Sequence, residues 1–158
     1  MQIKGITDED FLNYKVPSMY ICSSTCNFKC DKESGTECCQ NSLLVHERTI
    51  NMPDDRIIER YLSNKITKAI VIAGLEPLDQ TDEVVALIER LRDTYNCRDT
   101  VVIYTGYYPD EVSDAVDRLR SLGNVVMKFG RFVPDKERKF DDVLGVWLAS
   151  PNQFGKEL

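Results

Sequence analysis

Residues 68–107, KAIVIAGLEPLDQTDEVVALIERLRDTYNCRDTVVIYTGY, carry two β-branched runs on either side of an amphipathic one. Lys68–Ala73 reads as a buried strand stopped by Gly74. Thr81–Tyr95 reads as a helix: Val84, Ile88 and Leu91 share a face, and Asp82 and Glu83 suit the positive end of its dipole. Thr100–Thr105 is the next strand. Strand, helix and strand at these lengths make a βαβ unit, whose two strands must be parallel.

The same alternation extends both ways. Ser18–Ser24 (SMYICSS) reads as a strand, and Asp54–Leu62 as a helix opened by Pro53 and two acids. Pro109–Leu122 reads as a helix with Gly123 placed for a left-handed cap, and Asn124–Lys128 as a fourth strand. Beyond it only Val143–Ala149 looks strand-like. There is no repeat, low-complexity tract or linker, so the expectation is an α/β fold with a mostly parallel sheet in one compact domain over residues 1–158. In such sheets ligands bind beyond the carboxyl ends of the strands. Cys26–Cys30, Gly74–Pro77, Thr105–Tyr107 and Gly130–Phe132 each follow a strand, which puts every unusual segment on one rim.

Composition narrows the function. With 42% hydrophobic and 29% charged residues the chain is ordinary globular protein, and a net charge of −6 argues against nucleic-acid phosphate as a partner. No apolar run nears the roughly 20 residues that span a bilayer, so no membrane partner is expected. Met1–Asp10 carries acids in place of the basic-then-apolar pattern of a leader, and the expected location is cytoplasmic. In a reducing compartment six cysteines point to metal or redox chemistry. Cys22, Cys26, Cys30, Cys38 and Cys39 crowd into one stretch, and Cys97 lies apart.

Cys26-Asn27-Phe28-Lys29-Cys30 after an N-terminal strand, with Gly74-Leu75-Glu76-Pro77 after the second, resembles the radical S-adenosylmethionine (SAM) enzymes, and most closely the activating proteins of anaerobic ribonucleoside-triphosphate reductase. Ile6–Pro17, Ile103–Tyr107, Gly130–Phe132 and Ser150–Gln153 match further parts of that family in order. The resemblance implies a partial (β/α) barrel, a [4Fe–4S] cluster on three thiolates with one iron left open for S-adenosyl-L-methionine, and an oxidoreductase that makes a glycyl radical on the reductase. It also implies a low-potential electron donor such as flavodoxin. By the same resemblance Gly74, Leu75, Glu76 and Pro77 would position SAM, Glu76 accepting from its ammonium, while Tyr104, Thr105 and Gly106 would border ribose and adenine. Leu75 stands where the family has a second glycine.

The family pattern C-x3-C-x2-C would put its third cysteine at position 33, which is Glu33 here. Cys22, inside an apolar strand, reads as a core residue. Cys38 and Cys39 both remain open: lengthening the loop costs only about 1 kcal/mol of closure entropy, far less than thiolate–metal bonding returns. Resemblance to related sequences puts Cys39 first and Cys38 next. The missing cysteine supports a rival from another class, a noncatalytic zinc or iron–sulfur partner module in which the only histidine, His46, completes a Cys3His site. Lys128, Arg131, Lys136, Arg138 and Lys139 read as a solvated basic run or a protein-docking surface, to which Asn152 and Gln153 would contribute. Gly106 is expected to allow close approach or a positive φ, Tyr107 and Tyr108 to pack at the surface, and Trp147 to be core.

Overall fold

A computed structural model describes residues 1–158. In chain order the elements are β1 (Gln2–Asp10), β2 (Ser18–Ser23), α1 (Lys29–Ser34), β3 (Ile50–Asn51), α2 (Asp54–Ser63), β4 (Ala69–Gly74), α3 (Thr81–Asp93), β5 (Thr100–Tyr104), α4 (Ser113–Ser121), β6 (Val125–Phe129), β7 (Lys139–Asp141), β8 (Val146–Leu148) and β9 (Phe154–Glu157). Short 3-10 turns cover Ser42–His46, Pro77–Gln80 and Pro109–Glu111.

The result is a compact α/β fold on a seven-stranded mixed sheet of order β3-β1-β2-β4-β5-β6-β9. The middle four strands are parallel, with Cys22 opposite Ala73, Ile72 opposite Ile103, and Ile103 opposite Met127. β1, β3 and β9 add antiparallel ladders at the flanks. The parallel strands advance in one direction across the sheet, so connections of a single hand put their helices on one side. Accordingly Ile58 and Tyr61 of α2, Leu87 and Ile88 of α3, and Leu119 of α4 pack with Ile21, Ile70, Ile72, Ile103 and Met127 in one core. The alternate residues Ala69, Val71, Ala73, Val102 and Val126 face the other way, under Tyr14, Leu144 and Leu148. Burial on both faces is why these strands read as unbroken apolar runs.

Four strands have no counterpart in the sequence reading, the two-residue β3 among them. β1 alternates acids with apolar residues and is half solvated, so its Asp and Glu content hides it. β7 and β9 are short and polar. The Val143–Ala149 segment contracts to β8, which pairs with β7 in a separate hairpin rather than joining the main sheet. The Pro109–Leu122 segment divides into a 3-10 turn and α4, and Gly123 ends α4 at φ +68° as expected. No helix is long and apolar enough to cross a membrane.

Candidate metal centre

The strand ends meet at a cavity of about 330 Å³ on the face opposite the helices. Cys26, Cys30 and Cys39 border it, together with Gly74, Leu75 and Glu76 after β4, Tyr104, Thr105 and Gly106 after β5, and Lys128, Gly130 and Phe132 from β6 onward. Cys38 and Pro77 do not line it: Cys38 Sγ accepts from Ser34 Oγ at 3.3 Å, and Pro77 is buried at the start of its 3-10 turn. His46 is exposed and away from the cavity, and Cys97 sits in the α3–β5 connection, so the Cys3His arrangement is not assembled.

The cysteine loop is shaped locally. Ser24 N–H and Oγ both donate to Gln80 Oε1, and Thr25 O accepts from Glu76 N at 2.6 Å, which moors the loop to the β4 end. Phe28 takes a left-handed φ of 54°, its N–H donates to Cys26 Sγ, and Lys29 N–H donates to Asn27 Oδ1. This reversal starts α1 so that Cys26 and Cys30 lie on either side of it. Gly35, at φ +70°, closes α1. Asp31 Oδ1 then accepts from both Cys38 N (2.9 Å) and Cys39 N (2.8 Å).

Position 33, where a third thiol is absent, has another task. Glu33 accepts from Arg131 Nε at 2.6 Å, while Arg131 Nη1 and Nη2 grip Glu111, and Nη1 also reaches Gly106 O. Lys29 Nζ joins at Glu111 Oε1, 3.0 Å away. The clasp ties α1 to the ends of β5 and β6, and it holds the Glu111 carboxyl at about 2, well below the usual carboxylate range, mainly through Arg131.

Burial dominates the electrostatics around the cavity. It pushes the Cys26 thiol up to about 12 and raises Cys30 and Cys39. Thiols so disposed surrender their protons to a metal rather than to solvent. Lys128 is buried, lines the cavity, donates to Gly130 O at 2.7 Å and is lowered to about 8 by desolvation. Glu76 is raised to about 7 by burial, against three donors: Leu78 N–H, Thr105 Oγ1 and Gly106 N–H. Its carboxylate therefore splints the ends of β4 and β5, and three donors leave one of its roughly four lone-pair sites unused on the cavity wall.

Other expectations are corrected here. Gly106 has no positive φ; a Cβ on it would meet Glu76 Oε2 and Arg131 Cγ at 3.5 Å and Cys30 Sγ at 3.7 Å, ordinary contacts. Cys22 is half-buried rather than core, packed on Gly74. Lys128 and Arg131 leave the supposed solvated run by being buried, whereas Lys136, Arg138 and Lys139 are exposed. Asn152 donates to Tyr108 Oη and Arg131 O, and Gln153 to Gly130 O, so both brace the chain where it leaves β6. Tyr107 Oη donates to Asp79 and accepts from Asn27. Trp147 is 58% exposed, stands edge-on to Phe140 and borders the cavity mouth. Lys128 carried a weak signal, a lysine ending an apolar strand; Arg131 was visible in the Gly130–Phe132 segment but not its pairing with the distant Glu33, and Asp31 carried none, since nothing in the residue pattern marks an acceptor for the Cys38 and Cys39 amides.

No three Cys, His, Asp or Glu side chains converge on a point that would hold a single ion. A four-iron cluster takes its thiolates at separate corners, so thiols spread around a cavity wall suit it better than they suit zinc. A family model described as a 4Fe-4S single cluster domain matches residues 18–153. The chain belongs to this 4Fe-4S single cluster family. The match opens on the first residue of β2 and ends just before β9, spanning all four parallel strands and the three cavity thiols. No curated protein and no solved structure matched the chain. As a 4Fe-4S single cluster domain the protein is an iron–sulfur protein, which favours a cluster over zinc.

Proposed function

We propose that the protein is a radical SAM activating enzyme, on a partial (β/α) barrel, that generates a glycyl radical on anaerobic ribonucleoside-triphosphate reductase. The observation that carries this reading is that three thiols, not four, border the cavity. Cys26, Cys30 and Cys39 hold the [4Fe–4S] cluster, and one iron is left without a protein sulfur for S-adenosyl-L-methionine. The cluster and SAM, when bound, would supply one chemistry: reductive cleavage of the sulfonium with an electron from a low-potential donor such as flavodoxin, and through it hydrogen-atom abstraction from a glycine of the partner.

The chain's own residues bind and shield. Gly74 and Leu75 line the wall beside the thiols, Glu76 locks that wall to Thr105 and Gly106, and Tyr104 is anchored through its hydroxyl to Asn13 O at 2.6 Å. The Lys128 ammonium is a buried cation on the wall, matched to a carboxylate such as that of the methionyl group. The cavity at the strand ends, bordered on its far side by Trp147 and Leu148, is where a polypeptide would present its glycine.

Anoxic reconstitution, iron and sulfide analysis, and reduction with SAM present test this. The expected products are 5′-deoxyadenosine by chromatography and a glycyl radical doublet in the reductase. A full cluster that never yields 5′-deoxyadenosine overturns the enzyme reading, and 5′-deoxyadenosine without a glycyl radical removes the proposed substrate.

A further inference from the structure

We infer that Asp31 is a positioning residue that selects Cys39 over its neighbour Cys38 as the third thiolate. This rests on the proposed ligand set. Two adjacent thiols follow α1 on a loop with little structure of its own, and loop length alone does not choose between them. The choice lies in one atom. Asp31 Oδ1 takes both amides, Cys38 N–H at 2.9 Å and Cys39 N–H at 2.8 Å.

With both amides fixed, the two side chains part company. Cys39 borders the cavity, whereas Cys38 Sγ rests 3.3 Å from Ser34 Oγ, outside it. The anchor is itself held. α1 is capped by Gly35 N–H on Asp31 O at 3.0 Å and clasped through Glu33 to Arg131. Past the cysteines, Ser42 N–H donates to Cys39 O, and Asn41 Nδ2 reaches Gly74 O at 2.7 Å. The loop is thus pinned at both ends of the Cys38–Cys39 pair, and Asp31 sets its rotation.

The test crosses Asp31 with each cysteine. With Asp31 present, Cys39→Ala loses the cluster and Cys38→Ala keeps it, by iron and sulfide content. With Asp31→Ala that difference collapses, and cluster affinity falls about tenfold, the usual cost of losing a group that orients a ligand. Asp31→Asn keeps an Oδ1 acceptor and restores both the preference and the wild-type electron paramagnetic resonance spectrum. A second readout needs no cluster: in the apo protein, alkylation by iodoacetamide followed by peptide mass spectrometry gives the Cys39:Cys38 reactivity ratio, which Asp31→Ala shifts and Asp31→Asn does not. A folded Asp31→Ala protein with undiminished discrimination and an unchanged alkylation ratio overturns the inference. Failure of the wild type to load any cluster overturns the ligand reading instead, and the alkylation ratio still decides the role of Asp31.

Discussion

Gly74 ends β4 at φ +87°, and a Cβ added there would stand 3.2 Å from both Cα and Cβ of Cys22. Strain and crowding act together, so Gly74→Ala is expected to destabilise the protein by about 1–3 kcal/mol, read as a lower urea midpoint at constant slope. Cys26 and Cys30 were legible in sequence because their spacing is local and their chemistry is rare. Glu33 was visible only as a missing cysteine; its partner, Arg131, is distant in sequence, and no local pattern connects them. Lys128 was misread for a related reason: a charge is normally solvated, and only the fold reveals that this one faces the inside of the strand ends.

At the scale of elements, α1 has six residues and no buried side chain, so it holds its place through the Arg131 clasp rather than through a core. Arg131→Met is expected to cost about 1–3 kcal/mol, below the range for fully buried pairs because Glu33 and Glu111 remain partly hydrated, and to open residues 29–40 to limited proteolysis. The clasp also fixes an acid response. Glu111 sits at about 2 in the folded protein against an ordinary 4.5, so its contribution is complete above about pH 4.5 and fades as pH falls toward 2. Urea midpoints at pH 6, 4 and 3 should decline along that course, and the component due to Glu111 should shrink in Arg131→Met, where only Lys29 and the Tyr108 amide still hold the carboxylate. The four parallel strands and their helices were readable from apolar periodicity. β1, β3, β7 and β9 were not, because strands at the sheet's flanks or in the separate hairpin are short or solvated and tolerate the polar residues that also mark loops.

For the molecule as a whole, the main core lies between the helices and one face of the sheet, and the thiols lie beyond the strand ends on the other. Folding and cluster binding are therefore separable. Anaerobic removal of iron by a chelator should leave far-UV circular dichroism and a cooperative thermal transition in place, while the 400 nm region bleaches; loss of both signals together would show that the cluster is needed for folding, as in small zinc domains. The rim was legible in the sequence as a set of odd segments following strands, since the strand-end rule turns chain order into position. The cavity's far wall was not, because the hairpin of β7 and β8 pairs with itself and has no strand-end relation to the sheet.

That hairpin carries the chain's only tryptophan, half in water at the lip of the opening. Excited to the red of tyrosine absorption, its native emission is therefore a single-site optical signal located at the entrance. Assembly of a brown chromophore behind it should dim the fluorescence by energy transfer, and arrival of a visitor at the lip should shift the emission toward the blue, so loading and docking can be timed separately in an unlabelled protein.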